Sequence, residues 1–253
     1  MCVLAFAWRA HPRWQLVVAG NRDELHARPA QPLGRWDDAD HVLGGRDQLS
    51  GGTWLGVSEE GRFMVVTNLR GFGAPRPDAP SRGLLLKDRL VGMGPYVDPS
   101  DADLAAFNPF NLVSVSDGVA EFWTNRPDPL RRRLSPGVHG LSNGALDEPW
   151  PKTVRLKAIL GDWLSGDAAR PESLLDGLQE EALDAPRGVA IAPSDVPLEP
   201  TVSPIFIRDP IYGTRCGTVV AIDHDGQGVI VERRFDAAGA MAGETRLTFA
   251  WPR

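Results

Sequence analysis

The chain has 253 residues, 42% of them apolar and 24% charged, enough to bury a substantial core in one layered domain over residues 1–253. Its formal charge of −6, spread along the sequence, argues against nucleic acid or an anionic membrane as the main partner. No apolar run approaches the roughly 20 residues that cross a bilayer, and the apolar start is too short for a signal peptide, so no integral membrane association and a cytoplasmic location are the expectations. Two cysteines, Cys2 and Cys216, make no disulfide scaffold.

Residues 2–8 are almost continuously apolar and predict a buried strand. Residues 14–19 predict a second, joined to it by a turn at His11-Pro12-Arg13. The polar run Asn21-Arg22-Asp23-Glu24 follows, then a Pro-rich loop to about residue 46. Residues 53–58 and 62–68 read as a hairpin, and 69–80 as a Gly/Pro-rich loop. Ser81 is a candidate cap for a helix reaching Val91 and ending at Gly92. A second hairpin, 111–116 with 119–124, turns at Asp117-Gly118. After Arg131-Arg132-Arg133 a short strand leads into Leu141-Ser142-Asn143. Pro151 suits the first turn of a helix, whose Leu156, Ile159, Leu160, Trp163 and Leu164 share one face. A further helix is expected from Pro171 to about residue 183, and strands over 203–208, 217–223, 228–235 and 244–250. Hairpins at both ends with helices grouped between them predict an α+β fold with antiparallel pairing.

Cys2 is the first candidate for chemistry. Removal of Met1 would leave one residue with both a thiol and an α-amine. That amine has a reference pKa of about 7.7–8.0 and is partly neutral near pH 7, so it can accept the thiol proton. Position alone favours a small apolar residue opening a strand. Four polar residues directly after a buried strand are either a solvated turn or a set delivered beside the start of strand one. In the second case an arginine would lower the thiol pKa and a carboxylate would hold the ammonium. Asn68, Asn143 and Arg215 stand at strand ends, and an Asn amide can donate to an oxyanion. The five histidines form no metal-ligand spacing; His26 lies nearest the polar run. There is no phosphate-binding glycine loop and no serine elbow.

Met1-Cys2, Asn21-Arg22-Asp23-Glu24, Gly51-Gly52-Thr53-Trp54-Leu55-Gly56, Thr67-Asn68, Leu141-Ser142-Asn143 and Tyr212-Gly213-Thr214-Arg215 together resemble the NRDE family, that of transport and Golgi organisation protein 2. The motifs fall in the family's order over essentially the whole chain. The family is similar in turn to the N-terminal-nucleophile (Ntn) cysteine hydrolases, including penicillin V acylase and bile salt hydrolase. The resemblance implies a four-layer αββα sandwich and an N-terminal cysteine that cleaves amide bonds. It also implies catalytic roles for Cys2, Arg22, Asp23, Asn143 and Arg215, with Asn21, Glu24, Asn68 and His26 about the substrate. The hydrolases separate their Arg and Asp by two residues, whereas Arg22 and Asp23 are adjacent. A shifted alignment pairs Asn21 with Glu24, so the acid that meets the α-amine stays open. Cys216 stands where the family usually has Ser. Strand alternation puts it on the face opposite Arg215, in the core, where no disulfide to Cys2 forms.

Two functions follow from the resemblance. One is hydrolysis of a non-peptide amide of a small molecule, with no cofactor required. The other is a non-catalytic carrier of haem, acyl-CoA or lipid, with Cys2 or His26 on iron and Arg22, Arg70 and Arg82 attracting propionates or phosphates. The oligomeric state is not encoded in any motif.

Overall fold

A computed structural model describes residues 2–182, 193–196 and 198–252. Six strands form one antiparallel sheet: β1 (Cys2–Trp8), β2 (Trp14–Leu25), β10 (Gly137–Leu141), β11 (Tyr212–Asp223), β12 (Gln227–Phe235) and β13 (Met241–Ala250). Their order is β10-β1-β2-β11-β12-β13, so β2 and β11 are central. Seven strands form the other in chain order: β3 (Ala30–Trp36), β4 (Ala39–Asp47), β5 (Leu55–Ser58), β6 (Arg62–Asn68), β7 (Phe110–Ser116), β8 (Val119–Thr124) and β9 (Leu130–Arg133).

Strand parity sorts the side chains into layers. On β1 and β2, Leu4, Phe6, Leu16 and Val18 pack between the sheets against Leu43, Phe63, Val65 and Val113. The alternate residues Val3, Ala5, Val17 and Ala19 face Leu156 and Leu160 of helix α3 (Pro151–Ser165), with Leu174 and Leu175 of the short α4 (Leu174–Gly177). On the far side, Val42, Met64 and Leu112 face Leu85, Leu86 and Leu90 of α1 (Arg82–Val91) and Leu104 of α2 (Asp101–Ala106). The result is the four-layer αββα sandwich.

Several elements differ from expectation. Of the two readings left open for the polar run 21–24, the strand end holds: it is the last part of β2, with Asn21 and Arg22 paired to both β1 and β11 and Asp23 and Glu24 paired to β11. The Pro-rich segment holds β3 and β4, whose half-exposed, irregular pattern hides them. The helix expected from Pro171 to about 183 is a 3₁₀ turn at Pro171–Ser173 followed by α4; its last expected residue lies outside the described residues. Residues 203–208 form no strand. Their apolar side chains Ile205, Phe206 and Ile207 are buried without a ladder.

Candidate functional site

The register of the central strands builds the site. Cys2 of β1 opposes Arg22 of β2, and Arg22 opposes Cys216 of β11. Residues in register share a face, so the two thiols flank Arg22 on the inter-sheet side. Two strand spacings separate them, about 9–10 Å, beyond the ~7 Å limit for a disulfide. All three side chains line a cleft of about 520 Å³ between the ends of the sheets.

The cleft also reveals an irregularity in β11. Thr214 opposes Asp23 and Cys216 opposes Arg22, leaving Arg215 as an extra residue in a β-bulge. A bulge breaks alternation locally. Arg215 and Cys216 therefore both line the cleft, correcting the expectation that Cys216 faces away into the core. Arg215 is held by its Nη1, which donates to the carbonyls of Leu25 and Arg28 at 2.9 Å each.

Asn143 fixes the start of β1. Its Oδ1 accepts from the Cys2 backbone N–H at 3.3 Å, and its Nδ2 donates to the Asn68 carbonyl at 2.9 Å. Ser142 Oγ donates to the Cys2 carbonyl at 2.8 Å. The Asn143 amide thus faces away from the cleft. The asparagine that lines it is Asn68.

Asp23 is the carboxylate whose charge acts on the Cys2 thiol. Its side chain is fully buried on the α3 side, where Thr214 Oγ1 donates to Oδ1 at 2.7 Å and Lys152 Nζ lies 4.0 Å from Oδ2. Glu24 instead faces the cleft, 3.7 Å from Arg22 and 3.8 Å from Arg28. Burial pushes the Cys2 thiol above its usual value and the Asp23 charge adds to this. The backbone N–H of Asp23 and the guanidinium of Arg22 oppose the rise without overcoming it. An arginine beside the thiol is therefore not enough to ionise it. Burial likewise holds the Asp23 carboxyl above the usual carboxylate range, against Lys152.

Two expected residues lie elsewhere. Asn21 is fully buried on the α3 side, its Nδ2 donating to the carbonyls of Leu178 and Ile205 at 2.8 and 2.9 Å. It ties loops to β2 and does not line the cleft. His26 lies at the chain's exit from β2, its Nε2 at 3.0 Å from the Asp209 carbonyl, also outside the lining. Arg70 is buried in an ion pair with Glu199 at 3.0 Å, so it does not attract a ligand as a free cation. No group of three or more His, Cys, Asp or Glu suited to a metal occurs among the described residues.

What sequence reading missed is the wall. Seven arginines line the cleft against the carboxylates of Glu24, Asp47 and Glu232. Arg28, Arg46 and Arg234 are paired with Asp47, Asp38 and Glu232. Arg82, at the start of α1, donates to the Pro109 carbonyl at 2.9 Å. Burial lowers its pKa to about 10, offset in part by the nearby Cys2 and Glu24. β4 and α1 carry several of these residues to the cleft, and with β4 unseen their convergence was unreadable. Lys152 carries no sequence signal either, since lysine in a first helical turn looks like surface.

Two antiparallel sheets between helical layers define an Ntn-hydrolase-type fold. An N-acylethanolamine-hydrolyzing acid amidase ortholog from Caenorhabditis elegans has the same fold, with a TM-score of 0.51 at 12% identity over 86% of this chain and 92% of that one. The chain belongs to the Transport and Golgi organisation 2 family, whose model matches residues 1–237. It is 30% identical to the Homo sapiens Transport and Golgi organization protein 2 homolog over 97% of both chains. It is 32% identical to the Bos taurus homolog, again over 97% of both. No helix among the described residues is long and apolar enough to cross a membrane.

Proposed function

We propose that the chain is an N-terminal-cysteine amidohydrolase acting on a small non-peptide amide that carries an acidic group. The observation that carries this reading is Cys2 itself. It lines the cleft, and its backbone nitrogen is held by Asn143 Oδ1 at 3.3 Å. Asp23 and Arg22 are its nearest charged neighbours on β2.

In this mechanism Met1 is removed and the Cys2 α-amine takes the thiol proton, leaving a thiolate and an ammonium. A raised thiol pKa makes such a base necessary. The sulfur attacks the amide carbonyl, Asn68 donates to the developing oxyanion, and the ammonium returns its proton to the departing amine. Water then cleaves the thioester with the same group as base. Asn143 and Asp23 hold the amine, while Arg22 and Arg215 shape the cleft beside the sulfur. The arginine wall selects the acidic group through charge-assisted hydrogen bonds.

Intact mass and a panel of acidic amides test this reading. The expected result is loss of Met1, with turnover that Cys2→Ala abolishes while the fold, by circular dichroism, is kept. Retained Met1, or turnover in Cys2→Ala, would sink it. The arginine wall also favours a second reading, a carrier of an acidic ligand such as an acyl-CoA or haem. Saturable binding that survives Cys2→Ala, without turnover of any amide, separates the two.

A further inference from the structure

Arg22 and Glu24 stand two residues apart on β2 and share its cleft face, as strand alternation requires. The other two carboxylates of the wall are firmly bonded. Asp47 accepts from Arg28 Nε at 2.9 Å, and Glu232 accepts from the Leu33 N–H at 2.9 Å. Glu24 is held loosely. It lies 3.7 Å from Arg22 and 3.8 Å from Arg28, too far for a hydrogen bond. Among the described residues its hydrogen bond comes from the N–H of its own neighbour Leu25, at 2.9 Å.

The cations about it have donors to spare. Arg82 donates to the Pro109 carbonyl, and Arg215 to those of Leu25 and Arg28. Neither forms an ion pair among the described residues, and the Glu24 charge acts on both. A guanidinium has five N–H donors, so each keeps several for a ligand. The first turn of α1 adds its positive end, with Ser81, Arg82 and Gly83 lining the cleft. Around Glu24, then, stand Arg22, Arg28, Arg82 and Arg215, of which Arg28 already has Asp47. The Cys2 thiol, raised by burial, adds no negative charge, and the N-terminal ammonium that acts on it adds to the positive excess.

We propose that Glu24 is a specificity-determining residue, a resident counter-anion that occupies the place of a ligand's acidic group and yields it to a doubly charged oxyanion. This rests on the acidic-ligand part of the amidohydrolase reading. A singly charged group supplies only what Glu24 already supplies. A doubly charged head, such as a phosphate monoester, brings more charge and more oxygens for the idle donors. Glu24 then swings aside, breaking two long contacts and no hydrogen bond to an arginine.

The test compares two probes of the same shape, phenyl phosphate and benzenesulfonate, by calorimetric titration at low salt. At about pH 8 the monoester, with a second pKa near 6, is a dianion, whereas the sulfonate carries one charge. Wild type should bind phenyl phosphate the more tightly. Glu24→Gln, or Glu24→Ala if the first does not fold, should bind both probes about tenfold more tightly, a gain discounted for the partial exposure of Glu24. Glu24→Asp, which keeps the charge, should stay near wild type. Unchanged or weaker binding in Glu24→Gln overturns the inference and leaves the acidic-ligand reading standing, as does equal affinity of wild type for the two probes. No saturable binding of either probe, in wild type or variant, overturns both.

Discussion

At the scale of residues, three hydrogen bonds around Cys2 and Asn143 set the site. Truncating Asn143 would strand the Cys2 N–H and the Asn68 carbonyl, each buried polar group costing about 1–3 kcal/mol. Asn143→Ala should lower the Tm. It should also reduce Cys2-dependent turnover by about 10²-fold, the cost of a misplacement near 1 Å. Thermal melts with steady-state kinetics check both, and unchanged kinetics would remove Asn143 from the site. Much here was readable beforehand. Cys2, Arg22, Asp23, Asn68, Asn143 and Arg215 were marked by motif, and the structure brings them to one end of the sandwich. The direction of each side chain was not readable. Asn21, Asp23 and Asn143 turn their amides or carboxylate away from the cleft, because parity on β2 and the pairing of buried polar atoms decide orientation.

At the scale of elements, apolar strands and capped helices announced themselves. Ser81 accepts from Gly83 N–H and Gly92 closes α1 in the left-handed region at φ 78°, as sequence predicts. Elements with little buried surface did not. β9 is four exposed residues, Leu130–Arg133, and β3 buries only Leu33 and Trp36. The bulge at Arg215 was invisible because it depends on a partner strand. The docking of α1 rests on glycine. A Cβ on Gly52 would lie 2.2 Å from the Gly83 carbonyl carbon, and Thr53 N–H donates to the Gly83 oxygen at 3.3 Å. Gly52→Ala should cost about 1–3 kcal/mol by overpacking. It should also weaken binding of acidic ligands, since Arg82 opens the same helix. Calorimetric melts and ligand titration read the two effects, and loss of stability with affinity unchanged would detach α1 from recognition.

At the scale of the whole molecule, net charge and local charge have opposite signs. The chain carries −6 overall, yet seven arginines face the carboxylates of Glu24, Asp47 and Glu232 in the cleft. Composition reported the average and hid the concentration, since strands and loops distant in sequence contribute to one wall. The consequence is kinetic. An acidic ligand far from the protein meets a repulsive field, and only near the cleft mouth does attraction take over. Added salt screens exposed, distant charges more than close, sheltered ones. Raising ionic strength should therefore speed capture of a dianionic ligand while also speeding its escape, the reverse of the usual slowing of encounter between opposite charges. Stopped-flow association rates from about 20 to 300 mM salt, spanning the change in Debye length, would show it as a rising on-rate; a falling one would mean that the cleft's field governs approach from the start.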